Sequence, residues 1–546
     1  MKRKAVAAVL TAVMVASMFT GCGSDNGSSS AKSASAASAA SAANDTVDED
    51  GKVNGIMYQE GLPLVDEGAY TFSIFCDDSS ESGEFIMLDE FKKQTNVDVD
   101  LKIYPYETAT ERLNLDLNSG DYADVIGGWT LSDNAILTYG VNQGVFIPLE
   151  DYFEKYCPNI SAILDLPGVR EKMTAPDGHI YTIPYVCADS TVGYSPYINT
   201  KWLENVGMSM PTTTDEFEAV LKAFKEQDAN GNGDASDEIP FSTDPNNKHI
   251  EAMAGYFGLP MNKLGIAIQN EKVVYGGVSN TYREFLSWFH KLYADGLVDV
   301  ELYTQDSSTW EGKGNQDLYG VSIAYGSGEF TGIPAAEERG DFDSMPVLNT
   351  DKDGIWLRDT EGFSVYRTQA VITNKAEHPE IICRWFDNAF ALENGIGCNR
   401  GPVGVIVNKE DDGYHAIDTT TLSEEDQEKY SWGNLWPQSL PKYLPADFEF
   451  VEEHPMYDEK KATEEAYEAN LTKEIIPSYW IDLDKIDTFS DTNTAIKDFF
   501  EQQQAQFVCG ELDIDNDADW QAYVDGMYSL GLEDWVATQG IEEIAK

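Results

Sequence analysis

The chain has 546 residues, 42% of them hydrophobic, with 37 Lys and Arg against 95 Asp and Glu and a formal net charge of −58. That length and apolar content suffice for at least two sizeable lobes. A body this acidic repels a phosphate backbone, which excludes nucleic acid as a partner, and the even spread of charge fits a solvated extracellular surface.

Lys2, Arg3 and Lys4 begin the chain, Ala5–Met18 is an apolar run, and Phe19-Thr20-Gly21-Cys22 places small residues before a cysteine. This is the layout of a secretory targeting segment, and the run is short against the roughly 20 apolar residues of a spanning helix. The tetrapeptide resembles a bacterial lipobox, with Phe19 where Leu is commonest. The resemblance implies a signal peptide over residues 1–21 and lipidation of Cys22; cleavage at an ordinary site nearby, or a membrane anchor, is the alternative. Residues 22–50 are dominated by Ser, Ala and Gly, cannot bury enough surface to offset ordering entropy, and read as a disordered tether.

The globular body begins with Tyr70, Phe72, Ile74 and Cys76 on one face of a strand. Phe85, Leu88 and Phe91 mark a helix, Val97–Ile103 alternates strictly, and a second helix over Thr108–Asn118 ends near Gly120 before Ala123–Gly127. Strand–helix–strand–helix–strand predicts a parallel sheet with its ligand beyond the C-terminal strand ends, at Asp77–Gly83 and Gly128-Trp129-Thr130. Asp177-Gly178, flanked by Ile180 and Ile183, predicts a β-hairpin turn. Tyr282, Phe285, Phe289 and Leu292 predict a helix stopped at Gly296.

The densest signals lie in residues 199–241. A short helix, Lys201–Val206, is stopped by Gly207, and after Pro211 the pair Thr213 and Glu216 forms a capping box. Phe217, Val220, Leu221 and Phe224 then make a buried helical stripe. The helix runs into Asp228-Ala229-Asn230-Gly231-Asn232-Gly233-Asp234, whose oxygens alternate as in the first half of an EF-hand loop. Such a loop closes with Glu at position 12, which here is Ile239; Glu238 and Asp237 stand one and two places early. The expected ligands of a structural Ca2+ are Asp228, Asn230, Asn232, Asp234, Asp237 and Glu238. The competing reading is a polar turn with no ion.

These segments, with Asn118–Val125, Ala175–Tyr185, Lys291–Asp299 and the Trp520–Leu532 finish, resemble bacterial extracellular solute-binding proteins, the oligosaccharide-type lipoproteins of ABC importers. The resemblance spans most of residues 55–540. It implies a two-lobed α/β fold of the periplasmic-binding-protein type, each lobe a mainly parallel sheet flanked by helices, with the ligand cleft between lobes. It places residues 51–185 and 366–440 in the first lobe and 186–365 and 441–546 in the second, joined by about three crossings. It also implies a monomer that carries an extracellular carbohydrate to a transmembrane permease, held by its lipid on the outer face of the cell membrane, without turning the ligand over.

Sugar C–H faces stack on indoles while ring hydroxyls need carboxylates and amides. Trp129, Trp356, Trp432 and Trp436 lie in Gly-, Ser-, Asn- and Pro-rich stretches and are candidate platforms; Trp202, Trp288, Trp385 and Trp520 sit at helical positions and read as core. Asp77, Glu81, Asp189 and Glu329 are candidate polar partners by loop position. The six cysteines beyond Cys22 show no CxxC, so buried free thiols are expected, with disulfides open for an exported chain. A surface carbohydrate-active enzyme is one alternative, since carboxylates abound, but HExxH, GxSxG and P-loop motifs are lacking. A binding protein for peptides or another non-sugar solute is the other.

Overall fold

Alternation around Tyr70 becomes strand β1 (Tyr70–Asp77), followed by helix α1 (Ile86–Thr95), strand β2 (Val97–Tyr104), helix α2 (Tyr106–Ser119) and strand β3 (Val125–Gly127). The chain continues through β4 (Thr182–Ala188), β5 (Ser195–Asn199), α3 (Thr200–Val206), α4 (Thr214–Glu226), β6 (Ile239–Thr243) and α5 (Asn280–Ala294). Then come β7 (Tyr319–Ala324), β8 (Phe342–Ser344), β9 (Phe363–Ile372), α6 (Pro379–Ala389), α7 (Pro455–Tyr467) and α8 (Ile486–Cys509). The computed structural model describes residues 45–545 apart from 79–83, 245–248, 333–339, 446, 447, 449 and 452–454, all within one unit spanning residues 39–546. Among the described residues no helix is long and apolar enough to cross a membrane.

The first lobe is a five-stranded sheet in the order β2-β1-β3-β9-β4. β1 pairs in parallel with β2 and β3, as strand–helix–strand crossovers require. β9 runs antiparallel to β3 and to β4, because these strands carry the chain out to the other lobe and back. The second lobe holds the sheet β8-β5-β7-β6, in which only β7 and β6 are parallel. Both sheets are therefore mixed rather than mainly parallel, a correction to what the resemblance implied, while β1, β2 and β3 are parallel as their periodicity predicts. Asp177-Gly178 makes its turn, with Gly178 N–H donating to Ala175 O (2.9 Å), but β4 pairs with β9 instead of closing a hairpin across it.

In the second lobe the capping signals operate almost as read. Thr213 Oγ1 accepts from Glu216 N (3.2 Å), while the Glu216 carboxylate reaches Thr212 N (2.9 Å) rather than Thr213. Phe217, Val220, Leu221 and Phe224 are buried in the second-lobe core with Trp202, Phe241 and Phe289. The first-lobe core stacks Trp385 on Trp436, ring centroids 5.7 Å apart, beside Phe72 and Phe91.

The chain beyond residue 440 does not stay with one lobe. Tyr443 bridges Val186 beside the first-lobe core, and Ile481 and Ile486 pack with Phe75, Leu113 and Ile126 of the same lobe. α8 then returns to the second lobe, where Phe500 stacks on Tyr282 at 5.5 Å. The last segment is thus shared between lobes rather than confined to the second. All six described cysteines are free thiols, with Cys509 exposed.

Candidate functional site

The strand ends of the two sheets meet where the chain crosses between them, at residues 189–194, 359–362 and along α7. Asp77, the last residue of β1, accepts from Trp129 N (2.9 Å) and Thr130 N (2.6 Å) and so shapes the loop after β3. Gly128 has φ +136°, and a Cβ there would strike the Asp77 carboxylate. Burial raises Asp77, and hydrogen bonds from Thr130, Trp129 and Ser439 offset only part of that. This carboxylate is consumed by the loop, which holds Trp129 out with 45% of its surface exposed.

Trp129 meets Tyr366 edge-on at 5.3 Å, and Tyr366 stacks on its register partner Tyr185 at 5.6 Å. Lys442, only 1% exposed, lies 5.4 Å from the Tyr185 ring and 5.9 Å from that of Trp432. Its ammonium donates to Gln438 Oε1 (2.9 Å), and burial lowers it to about 8. Trp432 itself is 52% exposed. The first wall is therefore aromatic and supported from behind by a desolvated cation, a favourable cation–π arrangement.

Asp189 forms the floor. Its Oδ2 accepts from Tyr366 Oη (2.9 Å) and its Oδ1 from Tyr325 Oη (3.1 Å), one phenol from each lobe. Tyr325 continues the aromatic lining into the second wall, edge-on to Tyr194 at 6.1 Å, and Tyr194 stacks on His249 at 4.0 Å. Burial lowers His249 to about 3, so its ring is neutral at physiological pH.

Lys460 of α7 sits 4.0 Å over the Tyr325 ring and donates to Tyr325 O (2.7 Å) and Gly193 O (2.6 Å). Gly193 N in turn donates to Asp359 Oδ2 (2.6 Å), and Thr191 N to Glu464 Oε1 (3.0 Å). These bonds tie the crossing segments to one another. Burial raises Asp359 to about 6 and Glu329 to about 7, with Tyr325 N donating to Glu329 (2.9 Å). Both side chains keep open surface while protein encloses them on most sides, the condition of groups lining a cleft.

Of the sequence candidates, Trp129, Trp432, Asp77, Asp189 and Glu329 come to this cleft, and Glu81 lies outside the described residues. Trp356 and Trp436 do not. Trp356 is 1% exposed, its backbone bonded to Asn470 and Thr472 and its ring held between Tyr256 and Tyr467. Trp436 is fully buried against Trp385 and Phe91. Both are core residues in irregular backbone, and neither offers a face to a ligand. The sequence reading missed Tyr185, Tyr194, Tyr325, Tyr366, His249, Lys442 and Lys460; strand-end position marks Tyr325, and nothing local marks the rest.

The Asp228–Glu238 loop stands apart, joining α4 to β6. Gly231 (φ +75°) and Gly233 (φ +93°) let it turn sharply. Asp228 Oδ2 accepts from Gly233 N (2.9 Å) and Glu238 Oε1 from Ala229 N (2.9 Å). Asn230 and Asn232 donate to Asp237, and Asp234 Oδ1 accepts from Ser236. Asp228 Oδ1 and Glu238 Oε2 are buried with no hydrogen-bond partner, and burial raises Glu238. Two orphaned carboxylate oxygens in a polar loop fit a hard cation. A separate Glu410, Asp412 and His415 group sits on a hairpin, with His415 Nε2 2.9 Å from Asp412.

A two-lobed α/β body with an aromatic, carboxylate-lined cleft at the lobe crossings defines a solute-binding protein. Residues 78–395 match the bacterial extracellular solute-binding protein family, and the chain belongs to it. It is 31% identical over 411 residues to the fructooligosaccharide ABC transporter substrate-binding protein FusA of Streptococcus pneumoniae serotype 4, covering 73% of this chain and 70% of that one. The structure of S. pneumoniae FusA in complex with kestose superposes with a TM-score of 0.75 at 26% identity, over 86% of this chain and 98% of that one. A FusA EF-hand mutant in complex with fructo-nystose gives 0.73 at 26% identity, with the same coverage.

Proposed function

We propose that this protein is the substrate-binding lipoprotein of an ABC importer, capturing an extracellular oligosaccharide between its lobes and delivering it to the permease. The observation that carries this reading is the lining from Trp129 through Tyr366, Asp189 and Tyr325 to Tyr194, with Trp432 beside Lys442, which alternates ring faces with hydrogen-bonding groups. Sugars need that alternation, and several rings in series suit more than one sugar unit. Trp129, Trp432, Asp189 and Glu329 contact the ligand in this reading, while Asp77 holds the Trp129 loop. The protein acts as a monomer, anchored through Cys22 to the outer face of the cell membrane, and releases its ligand unchanged.

A structural calcium ion belongs to the same reading. Asp228, Asn230, Asn232, Asp234, Asp237 and Glu238 would hold it, and it would supply charge neutralisation at the junction of α4 and β6 rather than chemistry.

Titration calorimetry against short oligosaccharides, with chromatography of the mixture after incubation, tests the function. Saturable binding without new products is expected. Product formation would make the protein an enzyme, and binding of peptides in place of sugars would make it another kind of carrier.

A further inference from the structure

Among the described residues the cleft gathers more carboxyl groups than cations. On the second wall and floor stand Asp189, Asp244, Glu311, Glu329, Asp359 and Glu459; among the described cations the charge of Lys263 reaches Asp244, and that of Lys460 reaches Asp359, Glu329 and Glu459. Lys460 directs its protons at Gly193 O and Tyr325 O and its charge lies over the Tyr325 ring, so it is already engaged. Asp244 and Glu311 act on Glu329, Asp189 acts on Asp359, and each interaction raises the affected carboxyl. Like charges in a low-dielectric site oppose a further anion.

The cations of the first wall do not offset this. Arg367 grips Asp133 through Nε (2.8 Å) and Nη2 (2.5 Å), donates to Tyr479 O (2.9 Å) and lies 4.1 Å from the Trp480 ring. Arg400 donates to Asn399 O (3.2 Å), and Lys442 is covered by Tyr185 and Trp432. Trp129, Tyr185, Tyr366 and Trp432 give this wall its aromatic surface.

We infer that the cleft takes an uncharged glycan and rejects glycans that carry carboxylates. The inference rests on the oligosaccharide reading and narrows it to one chemical class. The second wall supplies carboxylate and carbonyl acceptors to hydroxyl groups; a uronate brings another negative charge to a wall where, among the described residues, carboxyl groups outnumber cations.

The test compares short neutral fructo-, xylo-, manno- and galacto-oligosaccharides with matched galacturonate and mannuronate oligomers by calorimetry near pH 7.5, at low and high salt. At least one neutral series is expected to bind at least tenfold more tightly than every uronate, and high salt is expected to narrow the gap by screening the repulsion. The double variant Glu329→Gln, Asp359→Asn, which keeps shape and removes charge, is expected to raise the uronate-to-neutral affinity ratio by at least threefold. A uronate that binds as well as or better than the neutral series overturns this inference while leaving the oligosaccharide reading intact. If neither class binds and another solute does, the oligosaccharide reading itself falls.

Discussion

Calcium is expected to hold the second lobe together through the loop between α4 and β6. In this loop Asp228 Oδ1 and Glu238 Oε2 are buried acceptors facing no donor. Burial raises Glu238 above its ordinary value of 4.5. A carboxylate whose folded pKa is raised costs stability as pH climbs above its unfolded value, so the ion-free loop is weakest at neutral pH and relieved in acid. A divalent cation reverses that cost, and its stabilisation should grow from about pH 4.5 upwards. With free calcium about 1,000-fold above the dissociation constant, linkage contributes about 4 kcal/mol. At roughly 2–4 °C per kcal/mol for a lobe of this size, the second-lobe transition should rise by on the order of 10 °C. The lobes can melt separately, so only one of two transitions need move. Scanning calorimetry in calcium, in magnesium and after chelation reads this directly. Glu238→Gln keeps the acceptor used by Ala229 and removes the raised carboxylate; it should melt no lower than the parent after chelation yet gain little from calcium. Transitions that ignore chelation, with a variant that tracks its parent throughout, would refute the argument and leave a polar turn.

Trp129→Ala should weaken glycan binding by about 1–3 kcal/mol, by analogy with stacking on other planar rings, and abolish part of the ligand-induced fluorescence change. Trp436→Ala should instead cost about 3–5 kcal/mol of stability, read by denaturant unfolding, because it empties a core site. His249, lowered to about 3 by burial and secondarily by Lys263, stays neutral in the fold while the unfolded chain protonates near 6.5, so acidification from pH 6.5 towards 3 should erode stability. His249→Gln should flatten that part of the melting-temperature profile, and an unchanged profile would show that other groups set it. Cys22→Ala should shift the protein from the membrane fraction to the medium and end incorporation of labelled fatty acid.

What was legible in the sequence follows the range of the physics involved. The α4 cap, its buried stripe and the alternating oxygens after it depend on neighbours within a dozen residues, and they appear nearly as read, down to Thr213 capping Glu216. The burial of Glu238 was visible only as an offset from a standard loop, because it depends on how β6 leaves the loop. The exposure of the loop tryptophans was half legible. Trp129 and Trp432 emerge at the cleft, but Trp356 is pulled inward by backbone pairing to Asn470 and Thr472, more than a hundred residues away. Irregular backbone is no sign of exposure when a distant segment completes its hydrogen bonds.

The same reasoning explains why so much of the lining escaped notice. Tyr366 faces Tyr185 only because β9 returns antiparallel to β4 in that register, and Tyr325 reaches Asp189 only because β7 ends where the chain crosses. The carboxylates picked from loop positions then divide by what the assembled lobes leave to them. Asp77 spends its oxygens on the Trp129 loop, whereas Asp189 accepts one phenol from each lobe. A group that binds both lobes cannot keep both bonds unchanged if the lobes rotate about the crossings. The proposed closure over a ligand would have to reorganise the Tyr325–Asp189–Tyr366 contact, and a sugar hydroxyl reaching Asp189 would compete for the same lone pairs. In the proposed reading ligand recognition and lobe movement would meet at this carboxylate, and the energetic link between them would lie at the floor of the cleft rather than on either wall.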